Sequence, residues 1–248
     1  MNLAVAAVAV FVGFGIMSIA GLGAAVLFIP IFYYSGVPLP EAISVGLLLN
    51  VVALGVATPR YVRAGTVNIR LGLPILILAA AVAPLGAHVS NTINRSLLLT
   101  LFAGFLAASG ALMLFYRRPR RTWAVSRPVE IGTGVAVGSG VGFVAGLLGV
   151  GGGTFVLPVF HGMGLDPKQA TGTTALIALA SSLSGFIARA SIGSLDVAFA
   201  VTTAVAAAAG ATLGSRVALK RLSPVALKRT VAIILWVVAI KIIWDVIV

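Results

Sequence analysis

The stretch Gly149-Val150-Gly151-Gly152-Gly153-Thr154-Phe155-Val156-Leu157-Pro158 decides how this chain folds. It lies within an apolar segment, where glycine costs a helix about 1 kcal/mol per residue relative to alanine, so three in succession predict a break. A weaker copy, Gly21-Leu22-Gly23-Ala24-Ala25 running on to Pro30, stands 128 residues earlier. The same shift lays Phe32, Gly36 and Ala42 on Phe160, Gly164 and Ala170. It then lays Gly65-Thr66-Val67-Asn68 on Gly193-Ser194-Leu195-Asp196, and Leu85-Gly86-Ala87-His88 on Leu213-Gly214-Ser215-Arg216, without a gap. Glycine, proline and phenylalanine coincidences at one constant offset mark an internal duplication.

The surroundings of these motifs are those of a membrane protein. Apolar residues make up 60% of the chain, charged residues 9%, and the mean hydropathy is +1.16, against an apolar share of roughly 45–50% in a soluble domain. Apolar tracts of about 20 residues, enough to cross a hydrocarbon core of about 30 Å, recur from end to end, so the lipid bilayer is the main partner. Residues 3 to 19 read as retained rather than as a signal peptide, because no basic region precedes them. With no cysteine and two histidines, the chain has neither a disulfide frame nor ligands for haem, an iron-sulfur cluster or zinc, and no cofactor is expected. The net charge of +12 does not indicate nucleic acid. Its Lys and Arg fall in the breaks between apolar segments, which is a topology signal.

These features predict an all-α polytopic membrane protein of two inverted repeats, each a glycine-broken re-entrant helical hairpin followed by three transmembrane helices. The first repeat covers 1–116, a basic linker 117–128, and the second repeat 129–248. The hairpins occupy about 3–35 and 131–163, too long for one untilted helix. Spans follow at about 41–58, 71–90 and 96–116, then at about 170–188, 197–217 and 225–244. If each hairpin crossed the bilayer once, basic residues would divide almost evenly between the two faces. If each dips in and returns, one face receives Arg60, Arg63, Arg70, Arg117, Arg118, Arg120, Arg121, Arg127, Lys168, Arg216, Lys220, Arg221, Lys228 and Arg229, and the other only Arg95 and Arg189; Lys241 lies inside the last span. Positive loops stay cytoplasmic, so the second arrangement is expected, in the cell (inner) membrane with both termini outside the cytoplasm.

Non-helical backbone at membrane depth must face protein or a water-filled cavity. A helix resuming after the break offers unpaired N–H groups and the positive end of its dipole to an anion, and in inverted repeats two such breaks meet near the midplane. The candidate binding residues are therefore Gly21, Gly23, Gly149, Gly151, Gly152, Gly153 and Thr154, with Asn50, Thr171, Thr173 and Thr174 as polar companions. Ser181, Ser182 and Ser184 also lie within a span. For a lone Ser or Thr the bland alternative is helix-to-helix hydrogen bonding, and for Gly104 and Gly110 it is helix packing. His88 and His161 fall near segment ends and suit interfacial hydrogen bonding. Trp123, Trp236, Trp244, Tyr33, Tyr34, Tyr61 and Tyr116 read mostly as interface anchors. All five acids, Glu41, Glu130, Asp166, Asp196 and Asp245, fall near segment ends, so coupling through a deep carboxylate is not expected and an anionic solute fits best. The glycines lack the Lys-Ser or Lys-Thr of a P-loop, and no nucleophile, base and orienting group can be assembled within the membrane, which disfavours an enzyme.

On Gly149 through Pro158, the partner motif Gly21-Leu22-Gly23 through Pro30, and Gly65 and Gly193 after the second span of each half, the chain resembles the sulfite exporter TauE/SafE family, also called the toluene sulfonate uptake permease family. The resemblance covers the whole chain. It implies a permease for sulfite, sulfonates or related sulfur-containing anions, with both glycine-rich regions at the substrate site. Ala24-Ala25 stand where the second half has Gly152-Gly153, a departure in the first half. An anion channel of the same architecture and a non-transporting membrane assembly subunit are the alternatives. The solute, direction, coupling ion and oligomeric state are not legible in the sequence.

Overall fold

A computed structural model describes residues 3–20, 25–115, 127–163, 165–191, 195–217 and 224–247. Gly21, Gly23 and most of the basic linker lie outside the described residues. Ten helices are described: α1 (Leu3–Ala20), α2 (Ala25–Tyr34), α3 (Leu39–Arg63), α4 (Ile69–Thr92), α5 (Arg95–Phe115), α6 (Arg127–Leu148), α7 (Gly153–Gly162), α8 (Pro167–Ala190), α9 (Val197–Val217) and α10 (Pro224–Ile247). The bounds of α7 stand 128 residues after those of α2, the offset that aligns the sequence motifs. The six expected spans fall one for one on α3, α4, α5, α8, α9 and α10. Among the described residues, Leu39–Arg63, Ile69–Thr92, Arg95–Leu112 and Lys168–Ala190 are long and apolar enough to cross a membrane. Large apolar side chains such as Val8, Ile77, Val205 and Ile240 are exposed, as a lipid-facing surface requires.

Helix ends follow local chemistry. Asn68 caps α4 by accepting the Leu71 N–H at 3.2 Å, and Asp166 caps α8 by accepting the Lys168 N–H at 3.1 Å, with Pro167 in the first turn. Two of the repeat-matched glycines close helices. Gly36 and Gly65 adopt left-handed φ of 91° and 64°, while Val37 donates to Phe32 O and Thr66 to Tyr61 O, both at 3.0 Å. This is the Schellman arrangement, whose left-handed residue is most easily a glycine.

Both opening segments turn back on themselves. The Phe14 ring of α1 stacks on Phe28 of α2 with centroids 5.2 Å apart, although residues that far apart in one continuous helix would be about 21 Å apart. In the second half a Cβ on Gly152 would run into Val141 of α6. The returning arms α2 and α7 have 10 residues each, about 15 Å of helix, or half the hydrocarbon thickness.

The packing exchanges elements between halves. α6 lies along α4, and its repeat counterpart α1 lies along α9. Gly138, Gly142 and Gly146 let α6 approach so closely that Cβ atoms there would fall onto the carbonyls of Ile75, Ala79 and Ala83, the small-residue packing that substitutes for hydrophobic driving force in lipid. At the centre α3 and α8 cross antiparallel, with Leu47 near Gly185 and Thr66, just past α3, against Gly172. The Asn68 N–H donates to Thr173 Oγ1 at 2.9 Å, and the Asp196 N–H donates to Glu41 Oε1 at 3.1 Å. The α3–α4 turn, with Arg60, Arg63 and Arg70 nearby, therefore shares one end of the bundle with Lys168 at the start of α8. Asp196, just ahead of α9, sits at the opposite end, beside the start of α3.

Three expectations change. Arg189 is not a loop charge but is buried, 3% exposed, against α4 and α6. Trp236 sits mid-helix, where its Nε1–H donates to Ala107 O of α5 at 3.2 Å, so it joins α10 to α5 instead of marking an interface. Gly110 does pack, against that indole, whereas Gly104 faces open space and has no packing role.

Candidate functional site at the second helix break

The ladder of α6 ends where the Gly149 N–H donates to Ala145 O at 2.9 Å. Gly149 and Gly151 then take φ of 74° and 55°, left-handed values that cost an L-residue roughly 1–2 kcal/mol. Sterics impose glycine here independently. A Cβ on Gly149 would stand 2.8 Å from the Ile43 carbonyl, and one on Gly151 would stand 2.8 Å from Ser182 Oγ and closer still to Asn50 Nδ2. A Cβ on Gly153 would meet Thr174 Cγ2 at 3.3 Å and Ala178 Cβ at 3.7 Å. The break is thus lined by Asn50 from the middle of α3 and by Thr174, Ala178 and Ser182, one face of α8 at four-residue spacing.

These side chains are deeply buried, Asn50 at 1% and Ser182 at 0% exposure. Asn50 Oδ1, Thr174 Oγ1 and Ser182 Oγ have no hydrogen-bond partner among the described residues. Each such orphan costs about 1–3 kcal/mol, and buried polar groups are ordinarily satisfied. Thr58 Oγ1 and Ser109 Oγ are likewise unpartnered elsewhere among the described residues, but the other three gather around one helix break, where a polar guest could satisfy them together. The two hydroxyls supply donors and the orphaned Asn50 atom, Oδ1, an acceptor; the Gly153 N–H donates to Gly151 O at 2.6 Å, and α7 adds the positive end of its dipole.

The surroundings suit a negative guest. Glu41, Asp166 and Asp196 are committed at helix ends, where Asp196 accepts the Phe199 N–H at 3.1 Å and the other two accept the bonds given above. The negative end of α6 also approaches the site, and it is met by Arg189, whose Nε–H donates to Gly146 O at 3.3 Å and whose Nη2 donates to Leu147 O at 3.2 Å and to Ser90 Oγ.

Of the residues expected from sequence, Asn50, Gly149, Gly151, Gly152, Gly153 and Thr174 come together at this break. Thr173 does not join them. Its hydroxyl accepts the Asn68 N–H and ties α8 to α4. Thr171 lies half-buried nearly a turn nearer the helix start, and Thr154 belongs to the first turn of α7, its side chain outside the described residues. Ser182 gains the importance that Thr171 and Thr173 lose. Its spacing from Thr174 on one helical face is the signal that could have ranked it.

The all-helical bundle with its long apolar helices is that of a multi-pass membrane protein. The family model for the sulfite exporter TauE/SafE matches residues 5–242, and the chain belongs to that family. It is similar to the probable membrane transporter protein y4hK of Sinorhizobium fredii (strain NBRC 101917 / NGR234), 26% identical over 204 residues, covering 80% of this chain and 81% of that one. It is also similar to the probable membrane transporter protein YunE of Bacillus subtilis (strain 168), 24% identical over 225 residues, covering 81% and 82%. A third relative is the probable membrane transporter protein ORF9 of Sinorhizobium sp, 28% identical over 183 residues, covering 72% and 69%. No solved structure matches the chain.

Proposed function

We propose that this multi-pass membrane protein is a permease that carries a small sulfur-containing anion, sulfite or a sulfonate, bound at the second glycine break. The observation that carries the reading is the convergence of Asn50, Thr174 and Ser182, three buried and unpartnered polar groups, on left-handed Gly151. Membership of the sulfite exporter family supports the choice of anion, and donors without a neighbouring carboxylate suit an oxyanion.

The reading includes two inverted repeats, with the basic loops in the cytoplasm and the termini outside. The antiparallel crossing of the repeat-equivalent helices α3 and α8 supports inversion. The shared location of Arg60, Arg63, Arg70 and Lys168 at one end supports the orientation, since positive loops remain cytoplasmic. The reading also assigns Gly21 and Gly23 of the first half to the solute, by their match to Gly149 and Gly151 in the sequence. Sulfite flux into proteoliposomes tests the proposal. Flux that is absent from the wild type, or that is unchanged in Gly151→Leu, would sink it.

A further inference from the structure

We infer that Arg189 is a positioning residue for the anion site: it takes the carbonyls that α6 releases at the break, which leaves the N–H groups of Val150 and Gly151 to the solute. In an unbroken helix the Gly146 and Leu147 carbonyls would accept those same two N–H groups. The left-handed turn at Gly149 separates them. Arg189 then supplies Nε–H to Gly146 O and Nη2–H to Leu147 O, while neither the Val150 nor the Gly151 N–H meets an acceptor among the described residues. The guanidinium fork is suited to this, because its donors diverge in one plane and reach two acceptors together. Ser90 accepts a further bond and fixes the fork to α4.

The charge has a reason to be buried here. An arginine inside a membrane protein normally pairs with an acid or with backbone carbonyls and marks a functional position. Among the described residues the ion pair is Lys241–Asp245, on α10, so Arg189 is compensated by the carbonyl end of α6 and the Ser90 hydroxyl, without a carboxylate. It thereby cancels the negative helix terminus that would otherwise repel an anion beside Gly151. Its repeat counterpart is Tyr61, so the device belongs to the second half only.

This inference rests on the proposed anion site, and the experiment separates the two. In the wild type, sulfite slows hydrogen–deuterium exchange over residues 148–153, because it caps the Val150 and Gly151 amides. Arg189→Gln and Arg189→Lys, checked for folding, bind sulfite about tenfold or more weakly and lose that protection. Ser90→Ala, which keeps both carbonyl bonds, stays within about threefold of the wild type. Arg189→Lys binding like the wild type would show that charge at the α6 terminus suffices and overturn the assignment of the two released carbonyls to the guanidinium fork. If neither Arg189 variant folds, the wild type decides, and sulfite that binds without slowing exchange at 148–153 overturns it. A wild type that binds no sulfite at all removes the anion site itself, and this inference with it.

Discussion

Asn50 of α3 and Ser182 of α8 bring their polar ends to one point, the place a side chain on residue 151 would fill. The site is therefore a space kept open by a glycine and walled by two antiparallel helices. Its geometry depends on both halves of the chain, and several measurable consequences follow from it.

Gly151→Ala should abolish sulfite transport in proteoliposomes. The substitution combines a left-handed φ, worth roughly 1–2 kcal/mol against an L-residue, with a collision against Asn50 Nδ2 and Ser182 Oγ. Gly104→Ala is the control, since nothing stands within 4 Å of its Cβ position. It should transport normally and be slightly more stable, as alanine favours a helix by up to about 1 kcal/mol.

Ser182→Ala and Thr174→Val should each make the ligand-free protein more stable while weakening anion binding. Removing an unpartnered buried hydroxyl relieves on the order of 1 kcal/mol, which in a chain of this size raises the melting midpoint by about 2–4 °C. The further rise on adding sulfite should shrink, because ligand stabilisation follows affinity. Thermal melts with and without sulfite measure both. A variant that loses stability and keeps the full sulfite shift would place these hydroxyls outside the site.

Gly142→Leu should prevent accumulation of folded protein, because the α6–α4 approach leaves no volume for a side chain and overpacking costs typically 1–3 kcal/mol or more. Gly140→Leu, on the exposed side of the same helix with nothing near its Cβ position, should fold normally. The monodisperse fraction extracted in detergent reports the difference.

Single cysteines are informative here because the chain contains none. Arg63→Cys and Arg229→Cys should react with a membrane-impermeant maleimide only after cells are permeabilised, and Asn94→Cys should react from outside. Opposite labelling of positions 63 and 229 would rule out the inverted arrangement.

The scaffold was largely legible in the sequence because lipid permits few solutions. Apolar length sets the spans, and glycine clusters set the breaks, so α2 and α7 could be read from Gly21 and Gly149 onward. The site was less legible. Asn50 and Ser182 are distant in the chain and are not repeat partners, since the shift of 128 pairs them with Ala178 and Leu54. Only the antiparallel crossing of α3 and α8 brings them together, and that is a long-range fact with no local signature. Arg189 reads as a loop charge in the sequence for a related reason. A basic residue in the last turn of a span looks like a loop charge unless one knows that the end of another helix lies beside it.

The unequal dress of the two halves has a further consequence. Asn50, Thr174 and Ser182 correspond across the duplication to Ala178, Gly46 and Leu54, so trading the postures of the halves does not return an equivalent molecule. If the proposed permease works by exchanging the postures of its halves, its two end states would differ in energy before any gradient is imposed. A resting preference for one face is then written into a few side chains.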